Sequence, residues 1–422
     1  MSSQDAAPTN VLPKILTQHA EEAAFLWLLR DQAVSAPQFL VKDLARLDDR
    51  VEAQLDGLRI AGADGREVVS EALEPGDPGA VFALAVLAFE QGDEARIQDV
   101  LTAGTAARDL ERGIVSALGW IGYERARAHL KPLLAAESTV LRRVGLAAAA
   151  IHRKNPGPAV LEAAFASDDP RLKARALRAV GELGLVDYHI PARSNLRAKD
   201  PTVRFWAAWS NALLNGHKDA VAYLQNVAES SESHSVHAAQ MAMRRLAPND
   251  AKTWLKRLVK ELDQKRLAIV ADGAFADPEA VLFLIDQMQD PEVARVAGES
   301  FSLITGADLG RDKLKGEKPE GFEAGPSDNP EDENVAMDPD QHLPWPVPEL
   351  VRRWWADHQG NFAKGTRYLL GQPITPESLR QALRIGYQRQ RAAAAIELAI
   401  FKPGRPLFEV RAPGWRQLAL LG

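Results

Sequence analysis

Two histidines, His234 and His237, stand three residues apart in a stretch of helical periodicity, which places both rings on one face. Such a pair holds zinc or iron only when further His, Asp or Glu side chains arrive at the same place, and no Asp/Glu-His cluster supplies them. The acidic pairs Asp48-Asp49 and Asp168-Asp169 have the residue types for acid–base work. Asp169 precedes a proline where a helix should begin and reads as a helix cap, whereas Asp48-Asp49 reads as a solvated helix face. A basic series, Arg142-Arg143, Arg171, Lys173, Arg175, Arg178, Arg204, Arg244-Arg245 and Arg295, recurs through successive predicted helices. Aligned on one side, it would form a ridge able to hold phosphate; otherwise its members pair with acids on neighbouring helices. The chain has no cysteine, no glycine-rich phosphate loop and no Gly-x-Ser-x-Gly elbow. The expectation is a chain with no catalytic residue, no cofactor and no metal site, and one that is not an enzyme.

Those residues must be positioned by helices. Asp169 can accept from the free N–H groups of a first turn, Pro170 fits N1, Leu172, Ala176, Leu177 and Val180 recur at helical spacing, and Gly184 can take the left-handed turn that ends a helix. The pattern returns from Asp200-Pro201 to Gly216 and from Asp290-Pro291 to Gly306, and in looser form from Asp77-Pro78 to Gly92. Weaker copies start near Thr105, Thr139, Ser235 and Lys265. The stops recur about every 30 residues, the size of one helix–turn–helix unit in a stacked repeat protein.

The boundaries follow. Residues 1–10 read as a disordered lead, 11–75 as a helical N-terminal cap, 76–306 as a repeat array, 307–342 as an acidic Pro/Gly-rich linker and 343–422 as a helical C-terminal cap. The cap includes helices starting near Pro37 and over Glu67–Leu73, and the C-terminal part carries helices over Pro348–His358, Pro376–Gly386 and Gln388–Phe401. From Gly316 to His342 nine acidic residues face the single Lys318, so the linker is expected to be a mobile, solvated connector, with a docking role for a basic partner as the alternative. Trp345, Trp354, Trp355 and Trp415 are expected to pack the C-terminal cap over the last repeat. The start, Met1-Ser-Ser-Gln-Asp5, shows no basic region followed by an apolar run, and no stretch reaches the roughly 20 apolar residues of a membrane span. A cytoplasmic protein is expected. The net charge of −6 argues against nucleic-acid binding by the molecule as a whole.

The paired helices resemble the HEAT class of α-solenoids, whose second helix often opens Asp-Pro-x-Val with a following Arg. Val203-Arg204 fits, Leu172-Lys173 nearly fits, and Val293-Ala-Arg295 departs by one position. The resemblance implies an all-α, HEAT-like α-solenoid. Di-iron hydroxylases of that class carry His-Glu pairs, which this chain lacks, and HEAT-like DNA glycosylases hold duplex phosphate in a basic concavity. The two ends of the chain resemble a more specific proteobacterial family. The resemblance rests on Glu22-Ala-Ala-Phe-Leu-Trp-Leu-Leu-Arg30, Leu47-Asp-Asp-Arg50, Leu55-Asp-Gly-Leu58, Arg367-Tyr-Leu369, Gly371, Gln388-Arg-Gln-Arg391 and Arg411-Ala-Pro-Gly-Trp-Arg-Gln417. Its members are HEAT-repeat proteins found beside type VI secretion genes. The resemblance implies an immunity protein that binds and neutralises a cognate type VI toxin, a nuclease being the expected target. The alternatives are a scaffold or adaptor that loads an effector, in contact with spike or adaptor proteins, and a HEAT-type nucleic-acid-processing enzyme.

Overall fold

The computed structural model describes residues 13–62, 67, 76–230, 234–326 and 336–422. The expected lead at 1–10 and, apart from Glu67, the helix over Glu67–Leu73 lie outside them. The described chain is all-α. Its first seventeen helices are α1 (Pro13–Ala33), α2 (Val41–Ile60), α3 (Pro78–Gln91), α4 (Glu94–Gly104), α5 (Glu111–Trp120), α6 (Tyr123–Ala135), α7 (Thr139–Ile151), α8 (Pro158–Ala166), α9 (Pro170–Glu182), α10 (His189–Ser194), α11 (Pro201–Asn215), α12 (Lys218–Glu229), α13 (Ser235–Arg245), α14 (Pro248–Lys260), α15 (Lys265–Phe275), α16 (Val281–Gln287) and α17 (Ala294–Thr305). Four more follow: α18 (Pro348–His358), α19 (Pro376–Ile385), α20 (Gln388–Phe401) and α21 (Gly414–Leu421). Two two-residue antiparallel pairs are the only strands among the described residues, β1 (Lys315–Gly316) with β2 (Trp345–Pro346) and β3 (Tyr368–Leu369) with β4 (Gln372–Pro373).

The caps form as the residue types require. Asp169 Oδ1 accepts from the N–H groups of Arg171 at 2.8 Å and Leu172 at 3.2 Å, Asp200 Oδ1 accepts from Val203 at 2.9 Å, and Asp77 from Gly79 and Ala80. Asp290 differs. It closes a turn by accepting from Glu292, and the helix begins only at Ala294. The second helix begins at Val41, four residues later than Pro37, because Leu40 is still extended with φ −86° and ψ 164°.

The odd-numbered helices from α1 to α17 pack each on the next in one unbroken row, and most even-numbered ones lean on it from outside. Small residues let the row close up. A Cβ on Gly79 would lie 2.5 Å from Ala24 O, and one on Gly113 2.5 Å from Pro78 O. Further along, Ser210 Oγ donates to Leu177 O at 2.7 Å and Ser300 Oγ to Ile269 O at 3.0 Å, the same bond between consecutive row helices at two places. At the start, Trp27 stacks on Phe82 at 5.4 Å, and Phe82 meets Trp120 edge-on at the same spacing, joining α1, α3 and α5.

Two expectations are corrected here. The acidic stretch is not simply a solvated connector, because its described parts are fastened to the body. Leu314 is buried, Asp338 receives both Arg295 Nη groups at 2.7 and 3.0 Å, and Asp340, 2% exposed, pairs with Arg266. Two arginines that need counter-charges at the row outweigh the tendency of an acidic, apolar-poor segment to stay in water.

The C-terminal part, for its part, does more than cover the last repeat. Trp354 and Trp355 do pack there, Trp354 edge-on to Phe301 at 5.6 Å. Beyond them the chain runs back along the C-terminal ends of the row helices to the first two helices of the protein. Leu370 and Gly371 N–H donate to Leu303 and Ile304 O (α17), Tyr368 N–H to Ala276 O and Arg367 Nε to Phe275 O (α15), Leu407 N–H to Glu182 O (α9), and Arg416 to Trp120 O (α5). The last carbonyls of a helix have no partner within it and carry its negative end, so N–H groups and guanidinium ions are what they accept. This returning segment, residues 367–421, is a strap. The tail helix α21, unforeseen in the sequence, lies on α2.

The first turn of α20 closes the structure. Gln388 N–H bonds Phe39 O, Gln388 Nε2 bonds Val34 O at 3.1 Å, and Arg389 reaches Ser35 O at 3.0 Å on one side and Glu299 of α17 at 3.0 Å on the other. The two ends of the row therefore meet through one helix terminus. Arg391, fully buried, meets no carboxylate among the described residues; Leu383 O, Gln388 and Gln417 accept from it, and burial lowers its pKa to about 10.

Candidate functional site

A concentration of charge lies where the strap crosses α5, α7 and α9. There Arg143 of α7 forks onto Glu111 of α5, with a longer contact to Asp169 at 3.9 Å. One turn of the row further, Glu182 at the end of α9 takes Arg175 on Oε2 at 2.8 Å and Arg178 on Oε1 at 2.7 Å. Burial alone would raise the Glu182 carboxyl, but Arg175, Arg178 and Arg153 outweigh it and bring it down to about 2. The strap adds Glu409, paired with Arg153 at 3.0 Å, and Arg411, which meets Asp31 at 3.4 Å. Asp31 also holds Arg112 at 2.9 Å.

These groups surround a half-open cavity of about 340 Å³. Arg143, Arg175 and Arg178 form its row side, Arg108 and Arg112 its mouth, and Glu409 to Pro413 the strap wall, with Arg30 beneath. Seven arginines line it against four carboxylates, Asp31, Glu111, Glu182 and Glu409, leaving three positive charges in excess. Beneath the strap wall, Arg30 donates to Asp48 Oδ1 at 2.9 Å and to Ala412 O at 2.8 Å, and Gly414 N–H donates to the other Asp48 oxygen. Asp48 is completely buried, and burial raises its pKa despite Arg30. The expectation of a solvated face is corrected for Asp48, which is an internal tie between α2 and the strap.

The basic series divides. Arg143, Arg175 and Arg178 come together at the cavity. Arg244 faces Glu397 at 3.2 Å, and Glu397 also takes Arg367. Arg245 donates to the last carbonyls of α11 at Ala212 and Leu213, Arg204 lies over the Tyr223 ring at 4.3 Å, and Arg171 is exposed. Only Arg143 pairs mainly with an acid on the preceding row helix; the other ion-paired members use their own helix, the acidic segment or the strap. Arg30, Asp31, Glu409 and Arg411 join the cavity without any local signal, since nothing within a window of sequence shows that positions 31 and 411 touch. His234 and His237 share α13 and its approach, but the His234 ring lies against Phe205 at 4.2 Å, and burial first, then His234, lowers the His237 pKa. Among the described residues no group of three or more His, Asp or Glu side chains could hold a metal ion. No described helix is long and apolar enough to cross a membrane.

Comparison with protein-family models, with curated proteins and with solved structures finds no match to this chain.

Proposed function

We propose that this chain is a cytoplasmic binding protein that neutralises a secreted type VI toxin by occluding it, as the resemblance of its two ends implies. The observation that carries the reading is the strap. It lies along the helix ends beside the arginine series and ties Arg30, Arg153 and, of the series itself, Arg244 into ion pairs or carbonyl bonds, so part of the basic side is occupied by the chain itself. That occupation weighs against a duplex-holding enzyme. It supports a body fixed in one shape before it meets a partner, which lowers the ordering cost of association. An overall charge of −6 suits a basic, nucleic-acid-cutting target.

The test is co-expression of the toxin encoded beside this gene, with and without the protein, in a sensitive cell. Rescue of growth, with a complex on size exclusion, is the expected result. A complex without rescue moves the assignment to an effector-loading adaptor. Killing with no complex, both proteins being soluble, removes the proposal.

A further inference from the structure

We infer that the cavity between the row and the strap is a binding site for a small phosphorylated ligand, held through a phosphate or diphosphate group. Three observations converge. The lining carries three more positive charges than negative ones. Arg175, whose Nη2 is committed to Glu182, directs a fully buried Nη1 that meets no acceptor among the described residues. Arg108, exposed to solvent on the lining, forms no ion pair or hydrogen bond with them. An N–H group left without an acceptor in a buried place is costly, and an anion reaching Arg175 would remove that cost.

The chemistry selects phosphate. Planar guanidinium forks set by carboxylates at fixed angles match the oxygens of a phosphate, and an excess charge of three suits a dianion or trianion. The volume of about 340 Å³ lies at the lower end of small-molecule sites and is far too small for a nucleic-acid duplex. No open aromatic face lines it, since Trp120 is 3% exposed, so the phosphate end of the ligand is what the site recognises. Because Glu409, Arg411 and Pro413 form one wall, a bound ligand would also bridge strap and row. The inference stands independently of the toxin-binding proposal.

The test is isothermal titration of the full chain with sodium pyrophosphate, inorganic phosphate and sulfate at matched ionic strength. Saturable binding, tightest for pyrophosphate, is expected. Arg175→Gln should weaken it about tenfold or more and Arg108→Gln about threefold, the loss of one charge-assisted contact each. Arg127→Gln, on the outer helix α6 and 67% exposed, should leave it unchanged. Arg108 is exposed and unpaired, so its variant tests the site even if the Arg175 variant fails to fold. No saturation up to about 10 mM pyrophosphate, or equal losses in the Arg108 and Arg127 variants, would overturn the inference.

Discussion

Replacing Asp272 by Asn should stabilise this protein, and only above acid pH. Asp272 lies in the last turn of α15 with 6% of its surface exposed. Burial raises its carboxyl first, Asp277 raises it further, and Lys252 offsets only part, so it titrates near pH 7 in place of the ordinary 3.8. The negative end of the helix acts in the same direction. In the unfolded chain the same carboxyl gives up its proton near 3.8. Between the two values the folded state binds the proton and the unfolded state does not, so stability falls as pH rises from about 4 to about 7 and is level beyond. The gap of about three pH units is worth roughly 4 kcal/mol, the work of keeping a buried group charged. Asparagine has the shape of the protonated acid and no charge at any pH. Urea unfolding of both proteins at several values from pH 4.5 to 8 should show Asp272→Asn ahead by roughly 4 kcal/mol at pH 8, with the lead shrinking towards zero at the acid end. A lead that does not change with pH, or a less stable variant at pH 8, would refute the reasoning.

Two further predictions concern the strap. Glu397→Gln should cost about 3–5 kcal/mol in urea unfolding at neutral pH, because Arg244 and Arg367 lose the only carboxylate they share and Arg244 has 3% of its side chain exposed; a loss below about 1 kcal/mol would mean that this pair does not fasten the strap. Gly184→Ala should cost clearly more than Gly92→Ala. Both glycines take a left-handed φ, +67° and +72°, but a Cβ on Gly184 would lie 2.4 Å from Arg405 O in the strap while one on Gly92 meets nothing. The shared backbone term is about 1 kcal/mol, so equal losses on denaturant unfolding would place Arg405 away from Gly184 in solution.

The helices were legible because their signals are local. Asp169 and Asp200 cap from the first turn they precede, and Gly216 and Gly306 turn left-handed at helix ends, all readable within one window of sequence. The acidic stretch misled because composition counts charges without their partners. Asp338 and Asp340 look solvated until Arg295 and Arg266, 43 and 74 residues away, are seen to pair with them. The cavity was half legible. Its row side belongs to the basic series, with Arg143, Arg175 and Arg178 at spacings that face one way. Its other wall is made by Glu409 and Arg411, placed by chain return that no periodicity records.

The residues on which the family resemblance rests take on a physical meaning once the strap is traced. Arg30 and Asp48 come from the first two of the three N-terminal stretches, and Ala412 and Gly414 from the last stretch of all; they are bonded to one another. Gln388 and Arg391 of the Gln388-Arg-Gln-Arg391 stretch reach Val34 O and Gln417, and Arg367, Tyr368 and Gly371 are the contacts by which the strap leaves the far end of the row. Motifs that lie 380 residues apart in sequence are thus the two halves of one closure. A closure makes these residue types necessary whatever the protein binds, because a buried Arg30 or Asp48 without its partner would cost several kcal/mol. In this chain these residues are therefore accounted for by joining the ends of the helical row, before any partner is considered.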